Sequence, residues 1–404
     1  MLALLLALTL PAREIVVRPA GPVPTVQAAL ARARRGDTIT VTPGVYRTGN
    51  VEVRVPGLLL RGAPGAVLDG GGTDAILIVT ADSVTVRGLT FRGVGVTMTR
   101  DQAALRFVET AGCRAEENRI EGGYFGIYLE RAHGCVIARN LLRGSGRTET
   151  RNGNGIHLWN ARDVAIDSNV ITGQRDGIYL EFARGVTATG NVSTGNGRYG
   201  MHFMFSDDCA YRDNHFEANA AGVAVMYSRR VTLEGNAFVH NRGAAAYGLL
   251  LKDIRDSRLA GNTFADNTVG LYAEGASRNV VADNVFRDNG WGVRLLASSE
   301  EDRFSGNTFT GNSFDVTTNG LTHTSTFDGN RWDRYQGYDL DHDGVGDVPF
   351  RPVRRFAMLV EQHPPVILLL RSPFAGMLDL AESVFPMLTP ETLVDRHPAA
   401  PGRP

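Results

Sequence analysis

Residues 177–240 read GIYLEFARGVTATGNVSTGNGRYGMHFMFSDDCAYRDNHFEANAAGVAVMYSRRVTLEGNAFVH, and one pattern of glycine, alternating apolar residues and asparagine returns within them. The asparagine, followed two positions later by an apolar residue in every copy except that of Asn191, recurs at steps of 22, 29, 22, 23, 22, 26, 22, 23 and 23 residues. It occupies Asn118, Asn140, Asn169, Asn191, Asn214, Asn236, Asn262, Asn284, Asn307 and Asn330. About 22 residues are too few for a strand with a crossover helix, and they suit three short strands joined by tight turns. The repeat therefore predicts an all-β solenoid, a parallel β-helix whose coils stack at ~4.8 Å.

Two further markers keep the same period. A second asparagine follows five residues after the first at Asn196, Asn219, Asn241, Asn267, Asn289 and Asn312. A glycine marks the next strand at Gly126, Gly155, Gly177, Gly200, Gly222, Gly248, Gly270 and Gly292. The first and third residues after each glycine are apolar, which predicts strands with one buried face, and the asparagines are expected to be turn residues with an architectural role. The phenylalanines at one position of the repeat are expected to stack inside the coils: Phe216, Phe238, Phe264, Phe286 and Phe309.

The composition limits the classes of function. The 404 residues include 42 basic and 43 acidic side chains, so net charge gives no argument for binding nucleic acid or an acidic membrane. With 43% hydrophobic residues the chain can bury a large core, which excludes wholesale disorder. The run MLALLLALTL at residues 1–10 is too short to span a bilayer and long enough for the core of a signal peptide. Residues 1–12 are therefore expected to be a short signal peptide.

The segments on either side of the repeat differ from it. Residues 13–36 predict a strand and a capping helix, because TVQAALARARR at residues 25–35 has a helical pattern with Thr25 as its N-cap. Such a helix would shield the open end of the stack from edge-to-edge association. The β-helix is expected over residues 37–332, a calcium-type loop over 333–350, and a non-repeat, partly helical tail that contacts a partner over 351–404.

Function is expected on the outward positions of the strands, since the inward positions form the core. Two residues beyond the marker glycines the chain has Tyr128, His157, Tyr179, His202, Ala224, Leu250, Tyr272 and Arg294. Four residues beyond them it has Glu130, Trp159, Glu181, Met204, Met226, Lys252, Glu274 and Leu296. His, Met, Trp and Tyr therefore gather in adjacent coils of one face, where an exposed sheet would ordinarily carry Thr, Ser, Lys and Glu.

A metal site fits the centre of this face. His202 and Met204 lie on one strand and point the same way, and Met226 and Glu181 flank Met204 at ~4.8 Å in the neighbouring coils. Thioether and imidazole ligands suit Cu(I) and poorly suit calcium or magnesium. The copper candidates are Glu181, His202, Met204 and Met226, with His157 as a secondary candidate. Two other interpretations stay open: a protein interface rich in methionine and aromatic residues, and a sugar-stacking groove.

The two longest steps of the repeat fall beside this face. Their extra residues lie around 144–154 and 242–247, before the marker glycine of the next strand. They are expected to emerge along an edge of the face as loops that rim the candidate site.

An acidic loop, DLDHDGVGD at residues 339–347, follows the last coil. Asp339, Asp341, Asp343 and Asp347 match positions 1, 3, 5 and 9 of a calcium-binding loop, and Val345 stands where a backbone carbonyl is the ligand. The bidentate Glu of position 12 is missing, so a complete helix–loop–helix hand is not expected. We expect a structural calcium ion here, with a solvated acidic turn as the alternative.

Cys113, Cys135 and Cys209 each lie five residues before a repeat asparagine, where other coils carry valine. They are therefore expected to point inward. Adjacent coils would permit a disulfide between Cys113 and Cys135, but the favoured interpretation is that all three are small buried hydrophobic residues.

Several segments resemble known proteins. TVQAALARARRGDTITVTPGVYR, VLDGGG and VTVRGLTFRG resemble the capping helix and first coils of pectate-lyase-like right-handed β-helices. DGIYLEFARGVTATGN, YGMHFMFSDDCAYRDN and AGVAVMYSRRVTLEGN, followed by WDRYQGYDLDHDGVGDVPF, resemble the NosD family from about residue 13 to the tail. HFMFS and YDLDHDGVGD are the most specific parts of this resemblance.

The resemblance implies a periplasmic, non-enzymatic copper-handling protein that works with an ABC transporter, made of an ATPase and a permease. Such a protein would receive copper from a lipoprotein chaperone and pass it toward the copper–sulfide cluster of nitrous oxide reductase. In that setting Glu181, His202, Met204 and Met226 would be a transient Cu(I) site. The aliphatic tail from Phe356 to Leu388 would contact the permease.

The rival class is a secreted polysaccharide lyase or hydrolase, because β-helices often carry such enzymes. These enzymes need paired carboxylates, or calcium-bound Asp with an Arg base, in a groove. Asp207 and Asp208 are adjacent but fall at a predicted turn, and the sequence offers no convincing acid–base pair. A carbohydrate-binding protein without catalysis is the third interpretation. Its stacking platforms would be Tyr128, Trp159, Tyr179 and Tyr272.

Overall fold

The computed structural model describes residues 12–97, 101–145, 152–320 and 322–400, and in these residues the chain winds into a parallel β-helix followed by a helical tail. Successive coils contribute strands to three parallel sheets, so residues at equivalent positions of successive coils lie side by side. The predicted all-β solenoid is therefore confirmed. The expected signal peptide lies outside the described residues, apart from Ala12.

The first sheet has 14 strands in the described residues, all parallel. They are Glu14–Val17, Thr38–Val41, Leu59–Gly62, Thr85–Arg87, Arg114–Glu116, Val136–Ala138, Ala165–Asp167, Thr187–Thr189, Ala210–Arg212, Thr232–Glu234, Arg258–Ala260, Val280–Ala282, Arg303–Ser305 and Thr326–Asp328.

The second sheet, which carries the candidate site, has 12 strands in the same residues. They are Val51–Val53, Leu77–Val79, Ala103–Val108, Phe125–Glu130, Ile156–Trp159, Asp176–Glu181, Tyr199–Met204, Ala221–Met226, Tyr247–Lys252, Val269–Glu274, Trp291–Leu295 and Phe314–Thr317.

The third sheet has 13 strands in that part of the chain. They are Gly44–Arg47, Ala66–Asp69, Thr90–Arg92, Arg119–Glu121, Leu141–Arg143, Val170–Thr172, Val192–Thr194, His215–Glu217, Ala237–Val239, Thr263–Ala265, Val285–Arg287, Thr308–Thr310 and Arg331–Trp332.

Inward side chains form one continuous core along the axis of the solenoid. The residues one and three positions beyond the marker glycines are buried, as Met201 and Phe203 show. The repeat phenylalanines from Phe216 to Phe309 stack with ring centroids 5.5, 4.8, 4.7 and 4.9 Å apart. The predicted inward stack is therefore confirmed, and burial of each ring contributes roughly 2 to 3 kcal/mol.

Buried asparagines form two ladders that run along the coils, from Asn118 to Asn330 and from Asn196 to Asn312. In the first, Nδ2 of Asn214 donates to Oδ1 of Asn236 at 2.9 Å and to the carbonyl of Ala188 at 2.9 Å. The backbone N–H of Asn214 donates to the same Oδ1 at 3.0 Å. These bonds satisfy the amides inside the protein and fix the turns, so the expected architectural role is confirmed.

Glycine marks the strands of the second sheet because no side chain fits there. A Cβ on Gly200 would lie 2.7 Å from the carbonyl oxygen of Gly222 and 2.8 Å from Nδ2 of Asn219. The glycine column therefore lets the backbones of successive coils and the second asparagine ladder approach closely.

Helix α1, Val26–Leu30, packs against the first coil through buried Val26 and Ala29. Its N-cap is Thr25, as predicted, with Oγ accepting from the backbone N–H of Ala28 at 3.1 Å. The helix ends before the expected Arg35, because the N–H groups of Arg32 and Ala33 donate only three residues back, to the carbonyls of Ala29 and Leu30. The N–H of Arg34 then donates to the carboxylate of Asp37 at 2.8 Å.

The tail contains helices α2, Arg355–Gln362, and α3, Pro373–Val384, and the 3₁₀ turns Pro364–Leu369 and Pro386–Leu388. Helix α2 lies on the last strand of the second sheet, where Phe356 joins the same buried cluster as Phe314. Arg294 of that sheet donates to the carboxylate of Glu361 at 2.7 Å. No helix in the described residues is long and apolar enough to cross a bilayer.

After α3 the chain returns to the last coil. The fully buried carboxylate of Asp395 accepts from the backbone N–H and Nδ2 of Asn330 and from Nε1 of Trp332, each at 3.0 Å. Asp395 thus supplies the acceptor that the asparagine of a further coil would have supplied, and it ends the first ladder.

The favoured interpretation of the cysteines is wrong for two of them. Cys113 and Cys135 are buried as expected, but they form a disulfide, with Cα atoms 4.6 Å apart. The cause is the close stacking of adjacent coils, which places equivalent positions within disulfide reach. Cys209 is a free, buried thiol.

Candidate functional site

The second sheet brings the predicted copper residues into register. Met204 is paired with Glu181 on one side and Met226 on the other, while His202, on the same strand as Met204, is paired with Tyr179. Because neighbouring strands lie ~4.8 Å apart, the three partly buried side chains of Glu181, Met204 and Met226 form a continuous row. We refer to Glu181, Met204 and Met226 as the metal row.

His202 is buried, contrary to the expectation that its column faces solvent. Only 5% of the residue is exposed, because the rings of Tyr179 and Tyr199 lie 5.1 and 4.7 Å from its own ring. Tyr128 and Ala224 of the same column are also buried. Large side chains from neighbouring positions therefore form a second layer over this part of the sheet.

Arg198, paired with the buried carboxylate of Asp176, contacts one nitrogen of His202. The fully buried carboxylate of Asp176 accepts from Nε of Arg198 at 2.8 Å, and Nη2 of Arg198 lies 3.4 Å from Nδ1 of His202. A guanidinium can only donate, so Nδ1 accepts and the proton of the neutral imidazole lies on Nε2. Nε2 of His202 is buried and has no hydrogen-bond partner among the described residues.

Both candidate histidines are held in the neutral form. Burial lowers the pKa of His202 to about 4; Asp176 opposes this shift, and Arg198 and Arg175 add to it. Burial, assisted by Arg175, lowers the pKa of His157 to about 3. A neutral imidazole keeps a lone pair that a metal ion can use.

Tyr179 occupies the space between the candidates. Its ring lies 4.8 Å from that of His157 and 5.1 Å from that of His202, and its hydroxyl is 4.0 Å from Sδ of Met204. His157 is held on its other side by Nδ2 of Asn154, 3.2 Å from Nδ1. The structure thus places His202 beside the metal row and separates His157 from it.

A column of three exposed aromatic residues, not anticipated from the sequence, borders the metal row. Phe182, Phe205 and Tyr227 follow Glu181, Met204 and Met226 directly in sequence. Their rings stack with centroids 5.2 and 5.1 Å apart. We refer to these three residues as the aromatic ladder. The sequence did contain a signal for this column. The position five residues beyond the marker glycine is aromatic in these three coils, whereas four other coils have Arg131, Asn160, Asp253 and Gly275 there.

The first long step of the repeat is only partly described, because residues 146–151 lie outside the described residues, whereas the second is described in full. From the first, Asn154 contacts His157. At the end of the second, Tyr247 packs against Tyr272, with ring centroids 5.0 Å apart. Both steps therefore border the outward column of the second sheet.

The acidic loop brings together only part of the predicted calcium set. Oxygen atoms of Asp339, Asp341 and Asp343 lie within 4.8 Å of one another. Asp347 does not join them, because its carboxylate accepts from the N–H of Leu340 at 2.8 Å. The backbone of Val345 bridges to Ala399 in the tail.

Asp207 and Asp208 are ion-paired surface residues. Asp207 accepts from Nε of Arg229 at 2.8 Å, and Asp208 accepts from Nε of Arg184 at 2.9 Å and of Arg230 at 2.5 Å. The bond to Arg230 lowers the pKa of Asp208 most, and the Arg184 contact lowers it further. A carboxyl group whose pKa is lowered in this way, as that of Asp208 is, is a poor general acid.

Fold and site define the chain as a β-helix protein with soft potential metal ligands in register on one sheet. Two solved β-helix structures share the fold. The A-module of a mannuronan C-5 epimerase from Azotobacter vinelandii is 18% identical, with a TM-score of 0.51, covering 77% of this chain and 88% of that one. The catalytic unit of a GH87 α-1,3-glucanase from Streptomyces thermodiastaticus is 16% identical, with a TM-score of 0.60, covering 82% and 70%.

Sequence comparison places the chain more narrowly. Residues 142–337 match the family described as periplasmic copper-binding protein (NosD). A probable ABC transporter binding protein NosD from Pseudomonas aeruginosa is 32% identical over 87% of this chain and 85% of its own length. The protein of the same description from Stutzerimonas stutzeri is 31% identical over 88% and 85%. The chain belongs to the NosD family, whose two relatives here are named as binding proteins and not as enzymes.

Proposed function

We propose that this protein is a periplasmic Cu(I)-transfer component of an ABC transporter system that assembles the copper–sulfide site of nitrous oxide reductase. The observation that carries the proposal is the buried Nε2 of His202, which has no hydrogen-bond partner in the described part of the chain and belongs to the strand that carries Met204 of the metal row. A polar atom buried without a partner costs about 1 to 3 kcal/mol, a cost that a bound ligand removes.

The cargo fits the donor set. Glu181, His202, Met204 and Met226 offer one carboxylate, one imidazole and two thioethers, a combination that favours a soft cation such as Cu(I). Because Arg198 donates to Nδ1 of His202, metal binding at Nε2 requires that the proton move to Nδ1 and that this contact be released. Copper binding is therefore coupled to a displacement of Arg198, and His157 is a secondary ligand at most.

The partners follow from the relatives and from the tail. Both relatives are named as ABC transporter binding proteins. The tail of this chain presents Leu368, Met377 and Met387 with 86, 70 and 81% exposure, an apolar surface suited to a permease. A lipoprotein copper chaperone would supply Cu(I), and nitrous oxide reductase would receive it. The Cys113–Cys135 disulfide supports an oxidising, periplasmic location.

We also propose a structural calcium ion at Asp339, Asp341 and Asp343, with Val345 as a further ligand and Asp347 joining only if its carboxylate releases the N–H of Leu340. Three carboxylates whose oxygens lie within 4.8 Å of one another repel each other unless a cation neutralises them. Oxygen ligands of this kind suit calcium and not Cu(I).

Anaerobic titration with Cu(I) against a competing chelator tests the copper proposal. Wild type is expected to bind stoichiometrically, and Met204→Ala/Met226→Ala is expected to lose at least about tenfold in affinity, as is His202→Ala. Met377→Ala, which removes an exposed thioether from the tail, is the matched control and should bind as wild type does. Wild-type affinity in Met204→Ala/Met226→Ala/His202→Ala would show that the site lies elsewhere.

A further inference from the structure

We propose that the aromatic ladder is the docking surface for a Cu(I)-carrying protein that contacts this face transiently. This inference rests on the proposed copper function and names where the carrier binds. Three observations support it: the backbone conformation of the ladder residues, the orientation of their rings, and the area that the ladder exposes.

The backbone at the ladder is unfavourable for its residues. Phe182, Phe205 and Tyr227 have φ values of 54°, 50° and 53°. This left-handed region suits Asn, Asp and Gly and costs other residues roughly 1 kcal/mol each. Asn160 and Asp253, at the same position in flanking coils, have φ values of 50° and 52° without an aromatic side chain. The turn itself therefore does not require the rings.

The rings also add little to the core. Phe182, Phe205 and Tyr227 remain 49, 45 and 41% exposed, whereas the stacked phenylalanines of the interior are buried. Three adjacent coils thus keep exposed aromatic residues at a backbone position that disfavours them. Exposed aromatic residues that gain no packing benefit from their position are typical of interaction surfaces.

The orientation of the rings favours a protein over a sugar. Adjacent ring planes are inclined by only 11° and 13°, so the faces are turned to each other and the edges point outward. Sugars stack on open aromatic faces, while interface side chains pack against edges as well as faces. Aromatic residues are enriched at the centres of protein interfaces.

The size of the ladder indicates a transient partner. Large aromatic side chains have about 150 to 250 Å² to bury, so three half-exposed rings offer roughly 300 Å². A second copy of this chain bound stably would need about 800 Å² on each side. The ion pairs of Asp207 and Asp208 with Arg229, Arg230 and Arg184 border the rings as a neutralised polar rim. An apolar centre of this size with such a rim matches the hot spot of a short-lived complex.

The ladder is also placed where a carrier must dock. Each of its residues is the neighbour in sequence of one member of the metal row, so the two columns occupy the same three coils. A protein held on the rings would therefore lie beside Met204. The same contact would not be needed for copper delivered by a small molecule.

The test uses the full chain with Phe182→Asn, Phe205→Asn and Tyr227→Asn combined. Asn is the residue that the fold already uses at this turn in Asn160, so the variant should fold with an unchanged or higher Tm. Binding of the purified soluble domain of the lipoprotein copper chaperone is measured by calorimetry, and Cu(I) transfer from it by stopped-flow. We expect at least about tenfold weaker binding and slower transfer, with unchanged Cu(I) affinity against a chelator and unchanged uptake from Cu(I)–bicinchoninate. Asp253→Asn, in the same column of the next coil, is the matched control.

The outcomes separate this proposal from the copper site. Chaperone binding and transfer at wild-type levels in the folded triple variant would overturn the docking surface, and so would a wild type that does not bind the chaperone. Ladder-dependent binding of mannuronan oligosaccharides would overturn it in favour of a sugar. Chaperone binding that needs the ladder, in a protein without Cu(I) affinity, would support the surface and reject the proposed copper site.

Discussion

Asp302 stands in a column that is otherwise filled by neutral side chains. Its Oδ1 accepts from the backbone N–H and from Nδ2 of Asn279, both at 2.9 Å, and its own N–H donates to Oγ of Ser325 at 3.3 Å. Burial raises the pKa of Asp302 to about 6, and the bonds from Asn279 oppose the shift. At neutral pH the protein thus carries a buried carboxylate where its ladders use an amide.

The sign of the pH dependence follows from this shift. The native carboxyl titrates near 6 and the unfolded one near 4, so between these values the native state holds the extra proton. The contribution of Asp302 to stability is therefore most favourable below about pH 4 and declines as pH rises to about 6. Burial also raises the pKa of Asp315 to about 6, which adds a shift of the same sign.

Asp302→Asn should stabilise the protein at pH 8 by on the order of 1 to 2 kcal/mol, because the buried charge is removed. The new Nδ2 should face the backbone of the preceding coil, as Nδ2 of Asn279 faces the carbonyl of Ile254 at 3.4 Å. Denaturant unfolding from pH 4 to pH 8 measures the difference, which should shrink toward pH 4. Asp288→Asn, whose carboxylate is 62% exposed, is the control and should give a difference that changes little with pH. A gain for Asp302→Asn that stays constant across the range would contradict the assignment.

Among elements, the asparagine ladder binds the coils together through side chains. Asn236 donates from Nδ2 to Oδ1 of Asn262 at 3.0 Å and to the carbonyl of Tyr211 at 2.9 Å. Its Oδ1 accepts twice from Asn214, at 3.0 and 2.9 Å. One side chain thus completes four hydrogen bonds in a region that excludes water.

Asn236→Ala is expected to lower the free energy of unfolding by about 3 to 5 kcal/mol, because several buried groups lose their partners together. Chemical denaturation of wild type and variant gives this value directly. Thr194→Ala, on a partly buried position of the third sheet, serves as the comparison and should cost less than about 1 kcal/mol. A loss as small as that of the control would mean that water replaces the missing amide.

Much of this element structure could be predicted from the sequence, because the repeat places equivalent residues in columns. The strands, the phenylalanine stack and the register of Glu181, Met204 and Met226 follow from a period near 22 residues. The burial of His202 could not be predicted, since it depends on how the rings of Tyr179 and Tyr199 fold over it.

Two further features escaped prediction for other physical reasons. The aromatic ladder lies at a turn, and a pattern of buried and exposed strand positions does not describe turns. The cap at Asp395 has no local signal either, because 65 residues separate it from Asn330 and only the folded tail brings the two together.

On the scale of the whole molecule, the acidic loop and the end of the tail stabilise each other. The N–H of Gly346 donates to the carbonyl of Pro398 at 2.8 Å, and the N–H of Ala400 donates to the carbonyl of Gly344 at 2.9 Å. These bonds lie beside the carboxylates of Asp341 and Asp343 and a few residues beyond Asp395. Any change that orders the acidic loop therefore also orders the tail segment that closes the end of the solenoid.

Removal of calcium with EGTA should lower Tm by several degrees and increase hydrogen exchange at residues 395–400, since the loop loses the charge that holds its carboxylates together. Added calcium should restore both values. Asp341→Asn/Asp343→Asn should start from the lower Tm and show no response to EGTA. If the Tm and the hydrogen exchange of the wild type are the same with and without calcium, the proposal of a structural calcium ion in this loop is wrong.

The regular stacking of coils also fixes distances along the axis of the solenoid. Glu361 of helix α2 bonds to Arg294 in the strand Trp291–Leu295, which lies four strands along the same sheet from the strand of His202 and Met204. At ~4.8 Å per coil the separation is about 19 Å along the axis. Each whole repeat gained or lost between them would change this reach by one fixed increment and leave both ends intact. The number of repeats in the solenoid therefore sets the distance between the candidate copper ligands and the partner that binds the tail.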